Sequence, residues 1–172
     1  MSSPNAALTR NELLELEDEA LLRQCRQECF RASGPGGQHR NKTDSAVRLS
    51  VMNGAITAQG SDHRSQHRNR ADALRRLRNT IAIELRDPIA SEHTAARWEG
   101  SWKLGKKDRR YPPFIAHVLD ILAHYDWAVG LAADALGVST GKLVRTLAHN
   151  PHLWNAVNQE RSKLELVNLR RP

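Results

Sequence analysis

The chain reads as an α+β fold: a small antiparallel β-sheet packed on one long helix, with an all-α module after it. Three observations lead there. Residues 45–52 alternate Ala46, Arg48 and Ser50 with Val47, Leu49 and Val51, the two-residue period of a half-buried strand. Leu74, Leu77, Ile81 and Leu85 share one stripe of a helix at about 100° per residue. After Pro112-Pro113 the apolar spacing is helical almost to the end.

In chain order, residues 1–10 are expected as a disordered lead. Thr9 or Asn11 then caps a helix over Glu12–Leu22, with acids near its start and Leu13, Leu14, Leu16, Leu21 and Leu22 on its apolar sides. Gln24–Ala32 is extended. After the strand over 45–52, Asn53-Gly54 is the favoured two-residue hairpin turn, and Ala55–Gln59 returns as the partner strand. Ser61 or Asp62 opens the long helix, which ends before Asp87-Pro88. Residues 11–88 thus form one domain and 89–112 a linker.

The module over 113–172 begins with a helix over Phe114–His124 carrying Val118, Leu119, Ile121 and Leu122. Asp126 caps a second helix running to Leu136, and Gly137 turns the chain. Ser139 caps a third helix through His149, and Asn150-Pro151 caps and starts a fourth. The run from Ala132 to Ser139, with Leu143 and Arg145, resembles a helix-turn-helix, a pattern shared by nucleic-acid readers and by any tight helical hairpin.

Composition narrows the function. At 40% hydrophobic and 26% charged, with mean hydropathy −0.60, the 172 residues bury a modest core in a soluble chain. No apolar run approaches a membrane span, and the N-terminus lacks a basic patch followed by an apolar core; its acidity argues against a mitochondrial presequence. A cytoplasmic monomer with no membrane partner is expected. Cys25 and Cys29 are too few for a disulfide scaffold and are read as reduced thiols. His63 and His67 have metal-compatible spacing but sit among arginines that repel a cation, so neither metal nor cofactor is expected.

The net charge of +7 is uneven. Residues 1–30 carry three arginines against six acids, whereas 31–80 carry ten Lys/Arg against Asp44, Asp62 and Asp72. A polyanion partner therefore belongs with the latter segment. On the long helix Arg64, Arg68, Arg75 and Arg78 fall on an arc beside the leucine stripe, suited to a phosphate backbone. The linker interleaves Trp98, Trp102 and Tyr111 with six cations. That pattern fits RNA stacking and equally a tether whose tryptophans dock on a neighbour.

The most unusual stretch is Gly34-Pro35-Gly36-Gly37-Gln38-His39-Arg40-Asn41-Lys42. Three glycines and a proline hold one uncharged amide, Gln38, at a tip that bulky groups cannot crowd. It is not a phosphate-cradling loop, because Lys42 follows Asn41 rather than glycine, and His39 stands where a dinucleotide motif needs its third glycine. Gln38 cannot act as a titrating base near neutrality, and no nucleophile elbow is present. Chemistry on such a loop relies on positioning water and on backbone N–H groups facing a developing oxyanion, which suits an activated ester.

Arg31-Ala32-Ser33-Gly34-Pro35-Gly36-Gly37-Gln38-His39, with Asn41 and the run from Thr43 to Leu49, resembles the Gly-Gly-Gln signature of class I peptide chain release factors. Arg64-Ser65-Gln66, with Asn69 and Arg70, resembles that family's second motif; together the likeness covers residues 22 to 88. Arg40 departs, standing where an aliphatic residue is usual, and adds a cation for phosphate. The resemblance implies a Gly-Gly-Gln domain that enters the ribosomal peptidyl transferase centre, where the ester of peptidyl-tRNA is hydrolysed. It implies that Gly36 and Gly37 shape the loop, while Gln38 orients water and offers its backbone N–H to the transition state. Gln38 is also the position that members carry as N5-methylglutamine, which brings in a glutamine methyltransferase. His39, Arg40, Asn41, Lys42, Arg64, Ser65, Gln66, Asn69 and Arg70 are expected to brace the loop or hold rRNA and tRNA.

Decoding members carry further domains that read stop codons, and the sequence around the catalytic half has little room for them. The expectation is a small, codon-independent member that rescues stalled ribosomes, although those usually end in a basic tail rather than a helical module. A non-catalytic ribosome- or RNA-binding factor is the alternative; a regulator using the helical module on DNA is a third.

Overall fold

The alternation over 46–51 is realised as the central strand of a sheet. The computed structural model describes residues 8–31, 44–87 and 98–172. In it β1 (Arg26–Phe30), β2 (Ala46–Val51) and β3 (Ile56–Gly60) form an antiparallel sheet in the order β1-β2-β3. Val47, Leu49 and Val51 are buried from β2, while Arg48 on the other face is exposed, pairs with Glu28 at 3.7 Å and lies over the Phe30 ring. One strand thus supplies a core face and a wet face, as its two-residue period requires. The β2–β3 connection is longer than the two residues expected. Val51 pairs with Ile56, leaving Met52–Ala55 between them, and Met52, Asn53 and Gly54 all take positive φ. Val51 and Ile56 are both core residues, so the core sets the register and the turn absorbs two further residues.

Ahead of the sheet, the single helix expected over 12–22 is two: α1 (Arg10–Glu15) and α2 (Asp18–Arg23). Thr9 opens α1 with a capping box, its hydroxyl accepting from the Glu12 N–H while the Glu12 carboxylate accepts from the Thr9 N–H at 2.7 Å. Arg10, assigned to the lead by sequence, is buried in α1. The chain breaks at Leu16, where φ −55° and ψ 139° are extended. After the sheet comes α3 (Gln66–Glu84), whose Ala73, Leu74, Leu77 and Ile81 are buried. It crosses the sheet close to β3: a methyl placed on Gly60 would sit 2.1 Å from the Asn69 carbonyl oxygen. Only glycine permits that approach.

The chain divides into two compact units, residues 1–81 and 82–172, with the partition inside the last turn of α3. The second unit contains α4 (Tyr111–His124), α5 (Val129–Ala135), α6 (Thr140–Ala148) and α7 (Pro151–Lys163). Pro112 and Pro113 lie in the first turn of α4 rather than ahead of it, where their missing N–H groups cost nothing. Asp126 does not cap α5. Asp126 and Trp127 both take positive φ, and the helix starts two residues later with Ala128 at the cap. Gly137 turns with φ 67°, Ser139 accepts from the Lys142 N–H, and Asn150 accepts from the His152 N–H, as the sequence indicates.

Residues 98–110 pack within this second unit. The rings of Trp98 and Trp102 each lie 5.2 Å from Phe114, so these tryptophans dock on a neighbouring helix. Gly100 allows this, since a methyl there would lie 2.6 Å from the Trp98 indole nitrogen. Among the described residues no helix is long and apolar enough to cross a membrane.

Candidate functional site

The Gly-Gly-Gln segment is the β1–β2 connection. Gly36, Gly37, Gln38, His39, Arg40, Asn41 and Lys42 lie outside the described residues, but both ends of the connection are within them. Phe30 pairs with Ala46 across the ladder, so the chain leaves and re-enters the sheet at neighbouring positions. One residue beyond β1, Arg31 Nε donates to Asp44 Oδ1 at 2.9 Å. Both side chains are exposed, so the pair is worth little in stability. What it provides is a tie between the two ends of the connection.

Asn69 fixes the returning end from beneath. It is fully buried, its Nδ2 donates to the Ser45 carbonyl at 2.7 Å and to the His63 carbonyl at 2.8 Å, and its Oδ1 accepts from the His63 N–H. One side chain therefore holds together the first turns of α3, the bend over 62–64 and the residue next to Asp44. This explains where the long helix starts. With Ser61–Arg64 held by Asn69, the cap falls to Ser65, whose carbonyl accepts from the Asn69 N–H and whose hydroxyl accepts from the Arg68 N–H. Ser61 and Asp62, expected as caps, lie outside the helix. Gln66 donates from Nε2 to the Cys29 sulfur of β1 at 2.8 Å, so that α3 holds both sides of the connection, Cys29 on the outgoing strand and Ser45 at the returning end.

The expected arc of arginines is divided by its partners. Arg64, in the bend before α3, and Arg68, in its first turn, are exposed and pair with no acid among the described residues. Arg75 pairs with Asp72 at 2.8 Å, and His63 lies 3.1 Å from the same carboxylate. Arg76 is bound by Asp62 and by the Gln59 carbonyl. Arg78 is a correction: expected at RNA, it is buried, donating to the carbonyls of Leu14 and Leu16 and to Asp18. It closes the open end of α1, because the break at Leu16 leaves carbonyls without helical donors. Arg70 is half-buried, and its Nε has no hydrogen-bond acceptor among the described residues.

The thiols have distinct surroundings. Cys25 donates to the Leu21 carbonyl, and burial pushes its pKa up to about 11, so it is held as the thiol. Cys29 is exposed beside Gln66. No group of three or more His, Cys, Asp or Glu suited to a metal ion occurs among the described residues. Sequence reasoning missed Asp44, Ser45 and Gly60 as parts of the site's frame. A signal existed for Gly60, since an isolated glycine where a strand meets a helix marks close backbone approach. Ser45 contributes only its carbonyl, which no side-chain pattern reveals.

The RF-1 domain model matches residues 17–114, more than half of the sequence. The chain belongs to the RF-1 domain family. This class I release-factor domain is similar to peptide chain release factor 2 of Rickettsia conorii, 36% identical over 138 residues, covering 77% of the chain and 34% of that protein. Peptide chain release factor 2 of Rickettsia africae is 34% identical over 145 residues, 81% of the chain and 36% of the relative. Peptide chain release factor 1 of Erythrobacter litoralis is 48% identical over 68 residues, 40% of the chain and 19% of the relative. The chain thus spans about a third or less of the length of these curated relatives.

Proposed function

We propose that this RF-1 domain protein hydrolyses the ester of peptidyl-tRNA on the ribosome, releasing the nascent peptide without reading a stop codon. The observation that carries this reading is the placement of Gly36-Gly37-Gln38 in a connection whose ends are tied by Arg31–Asp44 and anchored by Asn69. Fixed ends lower the entropic cost of delivering a short glycine-rich segment into a partner's site. Gln38 keeps its charge state, so its contribution is geometric. Its side chain orients water against the ester carbonyl, and its backbone N–H faces the oxyanion as the tetrahedral intermediate forms. Collapse of that intermediate expels the tRNA ribose oxygen. The peptidyl transferase centre supplies the walls, and rRNA and tRNA phosphates fall to Arg64 and Arg68, with Lys42 and Arg40 from the connection. The action is in the cytoplasm, as a monomer off the ribosome, with Gln38 the acceptor of an N5-methyl group from a glutamine methyltransferase.

Peptide release from ribosomes stalled on truncated mRNA, compared with ribosomes holding a stop codon in the A site, is the test. Gln38→Ala lowers the release rate by about two to three orders of magnitude while ribosome binding persists. Equal release by the variant removes the connection from the chemistry. Release only with a stop codon overturns the codon-independent part alone. Salt-dependent ribosome binding with no release on any substrate favours a non-catalytic binding factor.

A further inference from the structure

The second unit holds a cleft of about 610 Å³ that the proposed hydrolysis does not use. Trp102, Tyr111 and Phe114 line it, with Trp102 edge-on to Phe114; Tyr111 and Phe114 are core residues, and Trp102, half-buried, is the ring with accessible surface. The Tyr111 hydroxyl accepts from Asn150 at 3.2 Å, so the polar end of that almost fully buried ring is satisfied. One wall is a stripe of α6 and its C-cap, with Lys142, Arg145 and His149 spaced three and four residues apart. Lys103 adds a cation from the loop, and the lining includes no carboxylate. Among the described residues, Lys103, Lys142 and Arg145 pair with no acid; the Lys142 ammonium lies instead 5.0 Å above the Trp102 ring.

We propose that this cleft receives an unpaired nucleotide of single-stranded RNA, its base on the Trp102 ring and its flanking phosphates on Lys103, Lys142 and Arg145. A base presents a π-face to Trp102 whatever its identity, whereas an acidic peptide would satisfy the cations and leave the Trp102 ring unused. On binding, the base replaces the Lys142 ammonium on the ring while an adjacent phosphate takes up the ammonium. Neither the charge nor the ring face is then left without a partner. Duplex DNA fits less well. A recognition helix must stand clear of its surroundings to enter a major groove about 12 Å wide. Here residues 102–105 line the same cleft as the cationic stripe of α6, which is therefore a wall rather than a ridge.

The test uses the full chain carrying Arg64→Ala and Arg68→Ala, so that the basic start of α3 does not mask the signal. Its probe is a labelled single-stranded oligouridine of about ten nucleotides, followed by fluorescence anisotropy across a salt series. Trp102→Ala weakens binding about five- to a hundredfold, and Trp102→Phe recovers most of it. Lys142→Ala with Arg145→Ala, both exposed positions, lowers the slope of log affinity on log salt by about two. Unchanged binding in these variants, equal affinity for an RNA duplex, or equal displacement by polyglutamate overturns the proposal. Circular dichroism confirms that each variant is folded.

Discussion

At the residue scale Asn69 carries the most weight for its size. Three hydrogen bonds from a fully buried amide join helix, bend and the returning end of the Gly-Gly-Gln connection. Truncation removes the partner of two carbonyls and one N–H. Asn69→Ala should therefore cost about 2–3 kcal/mol, read as a lower midpoint in urea unfolding. Under the proposed function, the peptide-release rate of the folded fraction should fall as well, since the carbonyl of Ser45 loses its anchor. Asn69→Asp tests the same point differently. It keeps the shape but replaces two donors facing carbonyl oxygens with an acceptor, so it should be no milder. Such a side chain was legible in the sequence only as part of a motif. Its burial was not, because asparagine is more often found at the surface.

At the element scale the division of the first helix and the fate of Arg78 are one event. The leucines of 13–22 and the acids before them suit a continuous helix, and nothing local predicts a break. The break becomes stable because a guanidinium 62 positions later supplies donors to the Leu16 carbonyl, with a second bond to Leu14. Long-range partners of this kind are invisible to periodicity, which explains both the missed break and the misassigned arginine. Arg78→Met, close in volume but without donors, should lower stability by about 2–3 kcal/mol by urea unfolding. Asp18→Asn should cost less than about 1 kcal/mol, because that carboxylate is largely exposed. Elements set by short-range chemistry were legible: the β2 alternation, the Ser139 and Asn150 caps and the Gly137 turn stand where the residues put them. The β2–β3 turn and the start of α5 were not. Both use positive φ at non-glycine residues, and at Met52 and Trp127 no residue preference announces it.

At the scale of the whole molecule, charge is placed by pairing as much as by sequence. Residues 31–80 carry the basic excess, yet Asp72, Asp62 and Asp18 occupy Arg75, Arg76 and Arg78 in turn. The cations left open gather at the start of α3, Arg64 in the bend before it and Arg68 in its first turn, which Asn69 ties to the returning end of the Gly-Gly-Gln connection. Under the proposed function, Arg64→Ala and Arg68→Ala should each weaken ribosome binding and reduce its salt slope by about one, whereas Arg75→Ala should change the slope less. Filter binding across a salt series separates these cases.

The distribution of indole rings has an optical consequence. Trp98, Trp102, Trp127 and Trp154 all fall in residues 82–172, and the unit formed by residues 1–81 has no tryptophan. Emission excited at the red edge of the protein band therefore follows only the helical half, whereas the sheet contributes mainly to far-ultraviolet dichroism. A melt recorded both ways on the untouched protein distinguishes one cooperative transition from two, with no dye or added label.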